Sequence, residues 1–546
     1  MKRTGTSRVP SAAVAAVLAT AIGIVCGTAT ARMQDRADAR YRIYTAALAA
    51  IEQQYVEPLD KRCATPGVCG TEALVYDSID GMLRTLDPHS SFFTPQEFAA
   101  MQERQEGRYY GIGIRIMRVG DDVTVESLFE GSPAYKAGIR RGDIIAKVED
   151  EDARGWTTED VVKKVKGPKG TTVNISIRRP GLEQLIPLTV ARDEITMPSV
   201  PTSFMIEPGT GYVRIQEFSE TTSDELDVAI AKLQKAGLQR LVLDLRENPG
   251  GPLDQAIAVA SHFLKRGQMV VYTRGRIPNS DEDYRVRQTG PVTDVPLIVL
   301  VNRRSASASE IVTGAMQDHD RGFIVGETTF GKALVQSVYP ITDGAGLALT
   351  TGRYYTPSGR MIQRPWDATF DDYQTYVLRD QTGEHPHEAS ELKYTDGGRK
   401  VYGGGGIEPD HFVPGDMQGF DPSRFSRLMA SRGMFVGFAE RFTKEGDERP
   451  GSRSAATHKV AAGWTLTDAM VDEFHQYLQS SGVRIDEAAF QADRTFIKAM
   501  IHFEVDVDLF GVEEAWHYIS AVDPQIQAAL HDFGQAKQLL ALPPQG

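Results

Sequence analysis

The chain has 546 residues, 41% of them apolar and 24% charged, and a formal net charge of −13. That length exceeds one ordinary core and predicts several domains, and the composition is that of a folded polypeptide. An acidic excess without a dominant Lys/Arg cluster excludes a general nucleic-acid binder, because neutralising phosphates takes clustered cations.

The N-terminus stands apart. Lys2, Arg3 and Arg8 precede an apolar run from Val9 to Ala31, the pattern of an export signal (residues 1–31). Ala29-Thr30-Ala31 offers a small-residue cleavage site, yet the run is nearly long enough to cross a bilayer, so removal and retention as a membrane anchor both stay open. The expected location is periplasmic, or membrane-anchored with the bulk of the chain outside the cytoplasm. Gly23-Ile24-Val25 ahead of Cys26 lacks the small residue that lipid attachment wants next to its cysteine. Cys63 and Cys69 are close enough for a small disulfide loop in an exported chain, and two cysteines alone make a poor metal site.

Residues 32–107 read as helical, with Ile43, Ala47, Leu48 and Ile51, then Leu74, Ile79, Met82 and Leu83, at mostly three and four spacing. Over 108–192 short β-branched runs (Ile112 to Ile116, Val123 to Val125, Val173 to Ile177) alternate with Gly and Pro turns, which predicts a small strand-rich module. Over 193–415 strands such as Gly211 to Ile215 and Leu241 to Leu245 alternate with helical stretches Ser223 to Ala236 and Leu253 to Leu264, which predicts an α/β core. Within it, Trp366 to Gly406 is polar and reads as a loop or cap insertion. Residues 416–546 return to helical periodicity, interrupted by a Gly, Ser and charge-rich linker near Glu445 to Ser454.

Val299-Leu300-Val301-Asn302-Arg303-Arg304-Ser305-Ala306-Ser307-Ala308-Ser309-Glu310-Ile311 is an apolar strand, a turn and a helix start. Such a turn can expose a hydroxyl at a helix N-terminus, where backbone N–H groups favour developing negative charge, although serines also cluster there as ordinary caps. Further on, Gly326-Glu327-Thr328-Thr329-Phe330-Gly331-Lys332-Ala333-Leu334-Val335-Gln336 sets one lysine among glycines and apolar side chains. A lysine acts as a base only when neutral, so its pKa of about 10.4 has to fall by roughly two to three units through desolvation. Asp318 and His319 invite a Ser-His-Asp reading, but they sit in the polar stretch Gln317 to Arg321 that reads as a solvated helix end. His385-Pro386-His387, flanked by Glu384 and Glu388, reads as a polar cap loop rather than a metal site.

The pairing of Ser-Ala-Ser-Ala-Ser-Glu with Phe-Gly-Lys and a glutamine four residues on resembles the carboxyl-terminal processing, or tail-specific, peptidases, a Ser-Lys family. Tyr55-Val56-Glu57-Pro58, Leu86-Asp87-Pro88-His89-Ser90-Ser91, Leu243 to Gly251, Leu349 to Arg360 and Gly406-Ile407-Glu408-Pro409-Asp410 match further stretches of that family. Ala333 stands where the family commonly has Gly, and Glu247 where a smaller polar residue is common. Tyr110-Gly111-Ile112-Gly113-Ile114, Gly131 to Ile139 and Gly142-Asp143-Ile144-Ile145 resemble a PDZ domain.

The resemblance implies a multidomain α+β protein: N-terminal helices, an inserted β-rich PDZ domain, a crotonase-like α/β peptidase core and a helical C-terminal region. It implies Ser307 as nucleophile, Lys332 as general base and Gln336 as the residue that orients the lysine, with Ser305 and Ser309 as turn and cap residues. The oxyanion donors it implies are the backbone N–H of Gly250 or Gly251 and that of Ala308. Gly111, Ile112, Gly113 and Ile114 would capture a substrate's C-terminal carboxylate by β-strand addition. That chemistry requires no metal or organic cofactor. Its partners are polypeptides with free C-terminal tails, and an activating adaptor, a homo-oligomer and membrane anchoring are compatible with it. The rival readings are a catalytically silent PDZ scaffold and a crotonase-like acyl-thioester enzyme.

Overall fold

The structure is a computed structural model and describes residues 38–542 apart from 66–67, 130, 180–181, 278–279, 367–372, 374, 380–386 and 444–459. The export segment and the 445–454 linker lie outside the described residues. Among those described, no helix is long and apolar enough to cross a membrane.

One compact unit comprises the chain up to Thr94 with Ala345–Ala348. A helix over 38–54 leads to a short antiparallel hairpin, Cys63–Thr65 with Val68–Cys69, closed by the Cys63–Cys69 disulfide. Helix α1 (Thr71–Arg84) follows. The Asp87-Pro88-His89-Ser90 stretch is a turn held by one carboxylate: Asp87 Oδ1 accepts the N–H groups of His89 and Ser90 at 2.8 and 2.7 Å. Turns of this kind arise where Asp hydrogen-bonds its own backbone two residues on. Strand β1 (Ser91–Phe93) then pairs antiparallel with Gly346, Leu347 and Ala348.

The second unit holds the remaining elements. After helix α2 (Pro95–Glu106), strand β2 (Arg108–Gly111) leaves for the strand-rich module, and β8 (Asp193–Thr196) returns paired antiparallel with it, so the module is an insertion with a zipped stem. Strands β3 (Ile114–Val119), β4 (Asp122–Leu128), β5 (Ile144–Val148), β6 (Thr172–Arg178) and β7 (Ile186–Ala191) form an antiparallel sheet in the order β7-β6-β5-β4-β3. Val173, Ile175 and Ile177 alternate inward, as a half-buried strand requires. Helix α3 (Thr158–Val165) opens on a Thr157/Asp160 capping box and buries Val161 and Val165, one turn apart, against this sheet. Strand β3 is left at the sheet edge.

The core is a second sheet. Strands β9 (Thr202–Glu207), β10 (Thr210–Arg214), β11 (Arg240–Asp244), β14 (Leu297–Val301), β15 (Phe323–Gly326) and β18 (His411–Phe412) lie side by side in that order, parallel except for β9. Between β11 and β14 the chain forms the antiparallel pair β12 (Met269–Gly275) and β13 (Glu282–Arg285), and between β15 and β18 come β16 (Leu334–Pro340) and β17 (Gly346–Tyr355), with β17 beside β12. Leu241, Leu243, Leu297 and Val299 face a layer made by helices α4 (Thr222–Lys235), α5 (Leu253–Ser261) and α6 (Ala308–Asp318). Their neighbours Val242, Ile298 and Leu300 face the opposite way.

That opposite face is covered by the C-terminal helices: α7 (Arg424–Ser431), α8 (Met434–Thr443), α9 (Asp468–Ser480), α10 (Glu487–Ala492), α11 (Arg494–Leu509), α12 (Val512–Val522), α13 (Pro524–His531) and α14 (Phe533–Leu540). Helix α12 packs on β9, and α13 and α14 pack on β14. A parallel sheet is stable only with both faces covered, and each fully buried aliphatic or aromatic side chain contributes about 1.5–3 kcal/mol. The helical tail is thus the second layer of the core. The polar 366–406 segment holds, among its described residues, a short hairpin of Leu392–Tyr394 with Lys400–Tyr402.

Candidate active site

Strand β14 ends at Val301 and helix α6 begins at Ala308, so the six residues between them make a tight turn. Of the three serines in the turn and the first helical residues, two are structural. Ser305 Oγ accepts the Asn302 N–H at 2.9 Å and donates to the Leu245 carbonyl at 2.8 Å, and Ser309 Oγ donates to the Asn248 carbonyl at 3.0 Å. The middle one, Ser307, is the N-cap of α6 and adopts φ 54°, ψ −111°. A non-glycine residue held there costs about 1–3 kcal/mol, and such strain collects at functional sites.

The Pro249-Gly250-Gly251 turn lies directly against Ser307. A Cβ on Gly250 (φ 98°) would meet the Ala306 carbonyl oxygen at 2.7 Å and both the Ala308 nitrogen and Ser307 Cβ at 2.8 Å, so only glycine fits. The Gly250 N–H donates to Asn248 Oδ1 at 2.8 Å. Among the described residues, neither the Gly251 nor the Ala308 N–H donates to an acceptor in the chain.

Lys332 is half-buried just before β16, and what ties its segment to the serine turn is Glu310. This side chain is fully buried, and its Oε2 accepts the N–H groups of Ser307 and Lys332, each at 2.9 Å. Its Oε1 accepts the Gly331 N–H at 2.7 Å and the Thr329 hydroxyl. Burial pushes the Glu310 carboxyl up from its ordinary range, and these four donors pull it back. Tyr354 makes a second bridge: its hydroxyl donates to the Lys332 carbonyl and lies 3.3 Å from the Ser307 carbonyl oxygen. Burial holds this phenol well above its usual range, fixing it as a donor. The sequence reading passed over both residues. Glu310 had a signal, its place three after an N-cap serine as in a capping box; Tyr354 had only its place in the matching Leu349 to Arg360 stretch.

Gln336 lies on β16, and its Nε2 is buried with no partner among the described residues. A buried amide without a partner is costly, so such a group awaits one. Ala333 is fully buried in the core, its N–H on Gln363 Oε1 at 2.8 Å, so its methyl is accommodated where the family commonly has glycine.

His319 caps the far end of α6, about 18 Å from Ser307 at 1.5 Å per residue, and this helix end, expected to be solvated, buries the His319 side chain. Its ring nitrogens engage Asp396 Oδ2 and the Met269 carbonyl, both at 2.7 Å. Burial alone would lower its pKa, but these two acceptors hold it above the ordinary value. A raised histidine stabilises the fold fully below its unfolded pKa of about 6.5, and this contribution is lost as the pH rises through the folded value. His319→Gln is therefore expected to lower the melting temperature more at pH 5.5 than at pH 9, and to leave peptidase activity within about two-fold of the parent; a pH series of melts with parallel rate measurements checks both. His385 lies outside the described residues, while His387 stacks on Tyr402 at 3.8 Å and faces Glu408.

In the inserted module, Gly111 ends β2, Ile112 and Gly113 form the connection, and Ile114 opens edge strand β3. The Ile112 and Gly113 carbonyls accept from Ala134 and Phe129 at 2.9 and 3.1 Å, and Gly113 (φ 83°) has no room for a Cβ beside Ser132. The ring of Tyr109, which the sequence reading also missed, lies over Gly111, and the Gly113 and Ile114 amides bear on its oxygen. Burial, with Glu103 adding, raises this phenol to about 12.

A serine held at a strained strand-to-helix turn, a lysine segment clamped to it and a peptide-binding module inserted ahead of them define a PDZ-bearing serine peptidase. Residues 209–369 match peptidase family S41 and residues 124–179 match a PDZ domain. The carboxy-terminal-processing protease of Bartonella bacilliformis is 39% identical over 296 residues, 54% of this chain and 68% of that one. The carboxyl-terminal-processing protease of a Picosynechococcus species is 37% identical over 288 residues, 52% of this chain and 69% of that one. Among solved structures, the photosystem II D1 C-terminal processing protease aligns at 32% identity over 58% of this chain and 88% of that one, with a TM-score of 0.32. The chain belongs to the carboxy-terminal-processing proteases of peptidase family S41.

Proposed function

We propose that Ser307 and Lys332 form the catalytic dyad and that the PDZ domain delivers polypeptide substrates by their C-terminal tails. The observation that carries this reading is the Glu310 clamp, which fixes the backbones of both residues on one buried carboxylate oxygen. Neutral Lys332 takes the proton from Ser307 Oγ as it attacks the scissile carbonyl. The resulting oxyanion is held by the Gly251 and Ala308 N–H groups, because that of Gly250 is engaged by Asn248. The lysine ammonium then protonates the leaving amine, and water, deprotonated by the same lysine, releases the acyl group as a carboxylate. Gln336, with its unpartnered buried amide, is the group available to orient the lysine. Incubating the parent chain and its Ser307→Ala form with a loosely folded protein and mapping the cuts tests the assignment: identical cuts from both would end it.

The Gly111 to Ile114 amides would receive the substrate's terminal carboxylate, and β3, an edge strand, would receive its backbone. The carboxylate competes there with the Tyr109 phenol and, as a charged acceptor, forms the stronger bonds. Hydrogen bonds to a charged group contribute roughly 1.5–3 kcal/mol, about ten- to a hundred-fold in affinity. C-terminal amidation of a long substrate is therefore expected to raise KM about ten-fold or more, and deletion of residues 112–192 to erase the difference. Equal steady-state constants for free and amidated tails in the intact enzyme would remove tail reading.

We further propose that the chain works outside the cytoplasm, on the support of the N-terminal basic and apolar segment and the Cys63–Cys69 bond, which persists in oxidising compartments. An activating adaptor, self-association and membrane anchoring are compatible with this reading, and fractionation of cells with N-terminal sequencing of the product tests location and anchoring together.

A further inference from the structure

Helix α13 of the C-terminal layer begins at an aspartate whose two oxygens do different work. Asp523 Oδ1 caps the helix, accepting the Gln525 and Ile526 N–H groups at 2.8 and 3.0 Å. Its Oδ2 faces Arg246 Nη1 at 2.8 Å as an ion pair without a hydrogen bond, and the hydrogen bond from that nitrogen goes to Gln525 Oε1 at 2.9 Å while Gln525 Nε2 donates to the Val413 carbonyl at 2.7 Å. Arg246 begins the turn two residues after the end of β11 and is 2% exposed. The rest of its guanidinium grips Asp244, with Nη2 to Oδ2 at 2.7 Å and Nε to Oδ1 at 3.0 Å, and its own N–H donates to Asp244 Oδ1 at 2.9 Å. Burial alone would raise Asp244, but Arg246 and Arg214 bring it down to about 2; burial pushes the Asp523 carboxyl up from its ordinary range, and Arg246 and the Ile526 N–H oppose that rise.

From Arg246 the chain enters the turn beside the nucleophile. The Glu247 N–H donates to Asn302 Oδ1 at 3.0 Å. The Asn248 side chain donates to the Ile215 carbonyl and accepts from Gly250, both at 2.8 Å, and its carbonyl accepts the Ala306 N–H at 3.0 Å. A continuous run of bonds thus joins the α13 cap to the Gly250-Gly251 turn and the Ser307 turn. Burying a guanidinium between two carboxylates costs several kcal/mol of desolvation, and apolar residues of similar volume would fill the space at least as stably. What the planar, five-donor group supplies is one fixed geometry.

We propose that Asp523 and Gln525, in the helical layer beyond the part matched to the peptidase family, are positioning residues that hold the oxyanion-binding turn through Arg246. The inference rests on the reading of Gly251 as an oxyanion donor. It makes the C-terminal layer part of the acyl-transfer machinery, acting through the strand end rather than by touching substrate.

The test uses the full chain. Asp523→Asn retains side-chain shape and capping ability and removes the charge. Gln525→Met removes one acceptor from Arg246 and leaves the ion pair, so it carries the test if the first variant does not fold. Loss of an oxyanion donor costs about 10²–10³ in kcat, so a displaced one is expected to cost about ten- to a hundred-fold in Asp523→Asn and less in Gln525→Met, with KM within about two-fold. A peptide aldehyde, whose adduct with Ser307 places an oxyanion in the same position, should weaken in parallel with kcat/KM. The buried tail carboxylate Asp493, which instead accepts the Ser423 N–H at 3.0 Å, supplies the control: Asp493→Asn should lower the melting temperature and leave kcat and aldehyde affinity unchanged. Parental kcat and aldehyde affinity in both Asp523→Asn and Gln525→Met would overturn the inference, as would losses that Asp493→Asn reproduces at equal destabilisation. Activity in Ser307→Ala would instead overturn the dyad, a separate failure.

Discussion

Ser307→Ala is expected to lower peptide-bond hydrolysis by on the order of 10⁴- to 10⁶-fold, and Lys332→Ala by a similar factor, because members of a nucleophile–base unit lose nearly all activity when either is removed. Lys332→Arg should be as inactive, since a guanidinium does not give up its proton near neutral pH. Stability should separate the variants. Alanine at 307 keeps a Cβ in the strained φ 54° conformation, so Ser307→Ala should melt close to the parent. Glycine tolerates positive φ, so Ser307→Gly should be equally inactive and more stable by about 1 kcal/mol. Rates on a quenched peptide and thermal melts of the four variants and the parent check both halves. Substantial hydrolysis by Ser307→Ala or Lys332→Ala would remove the dyad, and a Ser307→Gly protein less stable than Ser307→Ala would remove the strain.

Glu310→Ala is expected to combine the loss of activity with a large loss of stability. It strips the acceptor from the Ser307, Gly331 and Lys332 N–H groups and from the Thr329 hydroxyl. A buried donor left without a partner costs about 1–3 kcal/mol, so four give about 4 kcal/mol or more, offset in part by water that enters the space. Glu310→Gln keeps the volume but offers one acceptor oxygen and an amide that repels two of the donors, and should fall between the parent and alanine in denaturant midpoint. In both variants activity should drop further than the unfolded fraction accounts for, since the clamp sets the spacing of Ser307 and Lys332. A Glu310→Ala protein of parental activity would show that the dyad needs no clamp.

The amino-acid sequence by itself determined whatever depends on neighbours along the chain. The strand-turn-helix around Ser307, the β-branched run Ile112 to Ile116, the alternation of strands and helices over 193–415 and the helical tail were legible because periodicity, caps and glycine turns are local signals. What lay beyond it were pairings between distant residues. Nothing in the 25 positions from Ser307 to Lys332 says that Glu310 joins their backbones, that Tyr354 bridges them again, or that Asn248 takes up the Gly250 N–H. The largest difference is the tail. Its periodicity announced helices with an apolar face, but a helix face does not name its partner, and Leu241-Val242-Leu243 reads only as a buried strand. Tertiary structure alone decided that Val242, Ile298 and Leu300 turn toward the C-terminal helices while Leu241, Leu243 and Val299 turn the other way, and that Arg246 meets Asp523 across 277 positions of sequence. The physical reason is that a parallel sheet buries both faces, and which segment covers the second is settled by long-range packing that no local pattern encodes.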